Sequence, residues 1–195
     1  MLLVKRLIDI IISLILIIAT APVMIITALA IALDSPGPIL YRRLPDGRPV
    51  MRYGKYGRQF HYFKFRSMRY LNNGHSDEIT RVGNFIRRWH IDELPELFLV
   101  LIGRMSLVGP RPGTYDNYCD LPHEYFSNLD MKPGMTGPSQ LHGKAFLMEE
   151  KIRLDLEYIR SWTIAQDLKI IFLTPVIICR QRCLPHFYEK ASSVP

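Results

Sequence analysis

Asp92 and Glu93 stand side by side in "IDELPELFLVLIGRMSLVGPRP", Ile91 to Pro112, just ahead of Pro95 and an apolar run. Proline suits the first turn of a helix, where its missing N–H has no partner anyway. The spacing therefore predicts a helix beginning near Asp92, with both acids beside open backbone N–H groups and the positive end of the dipole. Capping is a sufficient role for one acid. A carboxylate kept ionised there is also fit to attack or to bind a metal, and the same terminus attracts phosphate. Two adjacent carboxylates allow one to be a nucleophile and the other a Mg²⁺ ligand.

Cations are spaced to serve such a site. Lys64 and Arg66 alternate in "FKFRSM" along an expected strand, so both face one side. Arg87 and Arg88 lie just ahead of the acids, and Arg111 sits between Pro110 and Pro112, where a restricted backbone can aim a guanidinium at phosphate. Singly, each reads as a solvated surface charge. Together, on a membrane-bound chain, they outline a site for a phosphorylated substrate. The formal charge of +7 fits an anionic partner but cannot choose among nucleic acid, acidic lipid and a phosphorylated small molecule. Cys119, Cys179 and Cys183 form no disulfide framework, which suits a reducing compartment. Cys179, Cys183 and His186 resemble half a metal site without a fourth ligand, and unpaired thiols are the simpler reading.

The elements that must position these residues begin in a membrane. Ile10 to Leu33 carries no charge and exceeds the roughly 20 residues that cross a bilayer, too long for a signal-peptide core. Pro22 interrupts it, and Lys5, Arg6, Arg42, Arg43 and Arg48 flank both ends. A straight span cannot keep both flanks cytoplasmic, whereas a helix bent at Pro22 that enters and leaves by one face can. Ser13 or Thr20 would then have to satisfy the freed carbonyls. Straight spanning is the alternative. Beyond it, "DSPGPILYRR" reads as extended, and "ILYRR" with "QFHYFKF" suggests a small hairpin. Helices are expected over Ile79–Trp89, Glu93–Ile102 and Leu147–Trp162, the last with Met148, Ile152, Leu156 and Ile159 at helical spacing. Asp167–Ile178, interrupted by Pro175, suits a core segment or one lying at the membrane interface.

The expected architecture is thus mostly α with a small β-hairpin. A re-entrant membrane helix over residues 1–34 precedes a compact cytoplasmic domain over 35–180, with interfacial helices, and a tail over 181–195.

Read in order, "SPGPILYRR", "FKFRSM", "TRVGNFIRRWHIDELPEL", "GRMSLVGPRP", "KPGMTGPSQLHG" and "LDLEYIRSW" resemble the bacterial sugar transferases, monotopic polyprenyl-phosphate phosphoglycosyl transferases, in their short form. The resemblance implies transfer of a sugar 1-phosphate from a UDP-sugar to polyprenyl phosphate, with Mg²⁺ and release of UMP, at the cytoplasmic face of the bacterial inner membrane. It implies a first membrane step in surface polysaccharide or glycoconjugate assembly. By it Asp92 is the nucleophile that takes the phosphosugar and Glu93 serves the metal. Lys64, Arg87 and Arg111 match basic active-site positions, and Asp155 matches the acid of the "LDLEY" helix. Three positions depart from the usual pattern: Arg43 where glutamine is common, Arg104 where an acid usually precedes "MSLVGPRP", and Pro138-Ser139 where Trp-Ala is common. Membrane lipid is a partner, and a homodimer is possible.

Two rival readings share some of these features. A membrane-tethered phosphohydrolase of lipid diphosphates would keep the anchor and the cations but transfer to water. A tethered nucleic-acid-binding or scaffold protein would explain the charge but not Asp92-Glu93, and no nucleic-acid-binding motif is recognisable.

Overall fold

The computed structural model of the chain describes residues 2–44, 46–71, 74–113, 131–141 and 148–183. It is mostly helical with small two-stranded sheets, and it divides into two compact units. Unit 1 comprises Met1–Arg52 with Gln59–Gly103, and unit 2 comprises Tyr53–Arg58 with Arg104–Pro195.

Unit 1 is organised by α1 (Leu2–Asp34), 33 residues long. Among the described residues it is the one helix long and apolar enough to cross a membrane, and little of its apolar stretch is buried. It runs as a single helix through Pro22. Thr20 and Ser13 do not cover the carbonyl that Pro22 leaves open: their hydroxyls donate to Leu16 and Ile10.

After α1, the two segments expected to form a hairpin do pair, but not as consecutive strands, since two further strands lie between them. β1 (Leu40–Tyr41) pairs antiparallel with β4 (Lys64–Phe65), Leu40 opposite Phe65 and Tyr41 opposite Lys64. "QFHYFKF" is not one strand, because it divides into β3 (Gln59–His61), which pairs with β2 (Met51–Tyr53), and β4. A further antiparallel hairpin, β5 (Met68–Leu71) and β6 (Gly74–Ile79), was not expected, and it takes Ile79 out of the predicted helix.

That helix is α2, Arg81–Arg88, begun by Thr80, whose hydroxyl oxygen accepts the Gly83 N–H at 2.9 Å. Gly83 is required there. A Cβ would lie 1.9 Å from the Ser67 carbonyl oxygen, so only glycine lets α2 come this close to the β4–β5 connection. Ile31 of α1, Phe65 of β4 and Ile86 of α2 form the core beneath, backed by Met24, Ala28, Leu40, Val82 and Ile91. The acid pair is followed by α3, Glu96–Leu101.

Helix ends in unit 1 are closed by side chains from elsewhere in the unit. Arg6 of α1 donates to the carbonyls of Val100 and Leu101 at 2.6 and 2.7 Å, satisfying the end of α3. Asp34, at the far end of α1, accepts the Val82 N–H at 3.2 Å. The same body therefore holds both ends of the apolar helix.

Unit 2 is built on a parallel pair, β7 (Ser106–Val108) and β8 (Gly134–Thr136), with Ser106 opposite Gly134 and Val108 opposite Thr136. Three helices follow: α4 (Pro138–Leu141), α5 (Met148–Ser161) and α6 (Ile164–Cys183). The described α5 agrees with the expected helix, although Leu147 lies outside the described residues. Asp167–Ile178 falls inside α6, which continues through Pro175. Asp167 ties this unit together. Buried, it accepts Tyr158 Oη–H and Trp162 Nε1–H, the latter at 3.1 Å, joining α5 to α6. Cys179 is an exposed free thiol, while Cys119, His186 and the tail from residue 184 lie outside the described residues.

Candidate active site

The acids do not open an α-helix. Ile91–Glu93 form a 3₁₀ turn entered through His90, whose backbone is left-handed at φ 54°. Pro95 explains the change. An α-helix starting here would need the Pro95 N–H on the Ile91 carbonyl, and proline has none. The Leu94 N–H takes that carbonyl instead at 3.2 Å, in i→i+3 register. The α-helical pattern resumes at Glu96.

This turn separates the two acids. Asp92 is 3% exposed, and its Oδ2 lies 3.1 Å from Lys64 Nζ. β4 carries Lys64 to that point, since its strand pairing with β1 fixes the register. Glu93 is half-buried, with Oε2 3.4 Å from His90 Nδ1. Beside them lies a pair that the sequence did not signal: Tyr62, buried, donates its phenol proton to Oε1 of buried Glu96. Burial and then the Glu96 charge push the Tyr62 phenol well above its ordinary range, so it stays a donor. Arg52 stacks on the Tyr62 ring, 5.0 Å from its centroid.

The cations have distinct surroundings. Arg87, in the last turn of α2, donates from Nε to Ser67 Oγ at 2.6 Å, a bond that the tight Gly83 contact makes reachable. Arg66 does not share a face with Lys64. It is 2% exposed and donates to the carbonyls of Ser35 and Pro36 at 2.7 Å, closing the end of α1. β4 ends at Phe65, so the strand alternation that would align the two side chains stops one residue short.

In unit 2, Arg111 is exposed, and its backbone N–H donates to Asp155 Oδ2 at 3.3 Å. Asp155 is buried on α5 and also accepts the Ser139 N–H on Oδ1 and the Ser139 hydroxyl on Oδ2. Burial pushes its carboxyl up to about 6, against the opposing pull of the Ser139 and Arg111 donors and the Arg111 charge. Ser139 was noted in the sequence only as a departure from pattern. Its spacing from Asp155 gives no signal that they meet.

Lys64, Arg66, Arg87, Asp92 and Glu93 thus lie in unit 1, and Arg111 with Asp155 in unit 2. Among the described residues no group of three or more His, Cys, Asp or Glu side chains converges as a metal site.

The family model for the bacterial sugar transferases matches residues 1–181 of this chain. The UDP-glucose:undecaprenyl-phosphate glucose-1-phosphate transferase of Escherichia coli is 38% identical over 189 residues, 88% of this chain and 39% of its own length. The exopolysaccharide production protein PSS of Rhizobium leguminosarum bv. phaseoli is 36% identical over 193 residues, 88% of this chain and 93% of its own. The undecaprenyl-phosphate galactose phosphotransferase of Salmonella typhimurium is 35% identical over 204 residues, 91% of this chain and 40% of its own. The chain belongs to the bacterial sugar transferase family. It spans about two fifths of the length of several curated relatives that it matches.

Proposed function

We propose that this chain transfers a sugar 1-phosphate from a UDP-sugar to polyprenyl phosphate at a membrane surface, through a covalent phosphosugar on Asp92. The observation that carries this reading is the Asp92 carboxylate, buried and 3.1 Å from Lys64 Nζ, in the "DELPE" turn of a chain of this family. Relatives named for glucose and for galactose transfer to undecaprenyl phosphate support the substrate class without choosing the sugar.

In the proposed reaction an Asp92 oxygen attacks the β-phosphorus of the UDP-sugar. The bond from that phosphorus to the bridging oxygen breaks, and UMP leaves with the oxygen and its electron pair. A phosphate oxygen of the polyprenyl phosphate then displaces Asp92 from the phosphosugar, restoring the carboxylate and giving polyprenyl-diphosphate-sugar. Two steps mean that donor and acceptor need not share the pocket at once. Burial keeps water from the nucleophile, and the Lys64 ammonium pairs with its carboxylate. Arg87 in unit 1 and Arg111 in unit 2 are each assigned a phosphate-binding role by the family resemblance. Arg66 instead positions the end of α1, given its carbonyl partners.

Asp92 and Glu93 both carry hard oxygen ligands, but the turn gives them different partners, Lys64 and His90. Mg²⁺ commonly takes one or two protein carboxylates and completes its shell with phosphate oxygens and water, so Glu93, which is not paired with Lys64, would supply such a ligand and Asp92 could add a second. When bound, the ion would neutralise diphosphate charge.

For the membrane, the re-entrant reading is supported by the attachment of both ends of α1 to unit 1, through Arg6 at one and Asp34 at the other. A helix of about 50 Å crossing a hydrocarbon core of about 30 Å would separate those ends. With basic flanks on both sides, the cytoplasmic face is the expected one. Exposed Phe85 and Trp89 of α2, beside Arg81 and Arg88, support an interfacial placement of that helix.

Incubating purified protein with Mg²⁺, polyprenyl phosphate and a panel of UDP-sugars tests the reading. UMP release with one of the sugars that goes beyond one equivalent per chain only when the lipid phosphate is present is the expected result. Release of inorganic phosphate from a lipid diphosphate, without UMP from any sugar, would favour the hydrolase instead.

A further inference from the structure

Asp155, on α5, sits where the Arg111 segment meets the first turn of α4. Its carboxylate receives the backbone N–H of Arg111 at 3.3 Å and that of Ser139 at 3.4 Å. The third donor is a side chain, Ser139 Oγ, 3.1 Å from Oδ2. These groups are enclosed: Ser139 is 3% exposed and Asp155 5%. Arg111 differs, because its backbone N–H is held while the residue as a whole is exposed.

Ser139 Oγ also lies 3.1 Å from Gln140 Oε1. A hydroxyl has one proton to give. While Asp155 is ionised the carboxylate is the stronger acceptor and takes it. Once Asp155 is protonated, one oxygen no longer needs that donor, and the Ser139 proton turns to Gln140. Among the described residues, the charge that bears on Asp155 is that of Arg111.

We propose that Ser139 is a positioning residue for phosphosugar transfer: through the Asp155 carboxylate it fixes the backbone of the Arg111 loop, and with it the aim of the Arg111 guanidinium. The role rests on the transferase reading above. It goes beyond that reading by making Asp155 a latch on the Arg111 backbone, with Ser139 as the hydroxyl that keeps the latch ionised. With the midpoint of Asp155 raised to about 6, the latch closes within a physiological range of pH.

Ser139→Ala keeps the backbone N–H and removes only the hydroxyl donor, so the ionised form loses support. Gln140→Leu removes the competing acceptor, so the protonated form loses support. Two readouts apply to the whole 195-residue chain: carboxyl titration by NMR with ¹³C-labelled aspartate, and the pH dependence of UDP binding. Neither needs turnover, so a failure of the transferase reading, seen as absent UMP release, stays separate from a failure here.

In Ser139→Ala the Asp155 midpoint should rise by about one pH unit, and the acid limb of UDP binding should rise with it. In Gln140→Leu both should move down. Binding at high pH should stay within about twofold of the parent in each. Unmoved midpoints would overturn the proposal. So would a carboxyl midpoint that moves while UDP binding does not follow, or a uniform loss of binding at every pH, which marks a direct contact or a folding defect.

Discussion

Lys64 and the Arg111 backbone N–H both serve a buried carboxylate, but the consequences of losing them differ. Lys64→Met would leave Asp92 buried without its ammonium partner. Because Lys64 is partly exposed, the expected stability loss is about 1–3 kcal/mol rather than the full cost of a buried pair, with transfer falling about 100-fold or more. Thermal melts alongside UMP assays check both. Arg111→Lys keeps the charge and the backbone N–H but gives up the two-pronged guanidinium. Transfer should fall about tenfold or more with the melting temperature nearly unchanged, and a variant that unfolds in step with its activity loss would make Arg111 structural. Asp155 predicts a pH effect of the opposite sign to a salt-bridged acid. Burial raises its folded pKa to about 6, above the ordinary carboxyl value of 3.8, so the native state binds the proton more tightly than the unfolded chain. Its contribution is complete below about pH 4, declines as pH rises through about 6, and then levels off, a difference of roughly 2–3 kcal/mol. Denaturant unfolding from pH 4 to 7 should show this slope, and Asp155→Asn should flatten it. Asp92, Glu93, Lys64, Arg87 and Arg111 were readable as candidates because charged residues beside prolines and apolar runs stand out, whereas Asp155 came only from the family resemblance. Tyr62, Glu96 and Ser139 were not, since each looked like ordinary strand, helix or loop composition, and only tertiary contact gives them partners.

At the scale of elements, unit 1 is held by side chains that close one another's helices. Arg6 closes α3, Arg66 closes α1, and Asp34 meets the start of α2. Arg66→Leu would leave the Ser35 and Pro36 carbonyls short of donors and should cost about 3 kcal/mol, with Arg66→Lys recovering part of it. Gly83→Ala forces a Cβ onto the Ser67 carbonyl, so α2 must move off the β4–β5 connection and Arg87 must lose Ser67 Oγ. A loss of about 1–3 kcal/mol together with a severe loss of transfer is expected, and normal transfer in Gly83→Ala would show that the Arg87 placement is dispensable. The helices were legible in outline because their apolar spacing and stop signals are local. The start of α3 was misplaced because proline can enter a first turn or block one, and here it blocks the Ile91 bond. β5 and β6 were missed because "GHSDEI" is polar and shows no alternation, and β7–β8 because two three-residue strands distant in sequence leave almost no local signature.

For the whole molecule, the apolar helix and the chemistry are linked by topology. If both ends of α1 lie on the cytoplasmic side, cysteines placed at Leu3 and Asp46 in a chain cleared of Cys119, Cys179 and Cys183 should resist an impermeant thiol reagent in intact cells. Labelling of either position from outside would establish a straight span. The apolar run, basic flanks and Pro22 made this arrangement conceivable from sequence, but the capping by Arg6 that ties the first turns of α1 to α3 could not be read there. Such an anchor would hold the Asp92 turn near the headgroups, where the proposed second step would meet its lipid phosphate. The most direct test of the chemistry removes that lipid. Intact-protein mass spectrometry after mixing with UDP-sugar and Mg²⁺ alone should show one phosphosugar added per chain, with UMP released in equal amount. The adduct should map to Asp92 and be absent from Asp92→Asn. With an accepted sugar, no adduct without lipid, or one carried by any other residue, would contradict the assignment of Asp92 as the nucleophile.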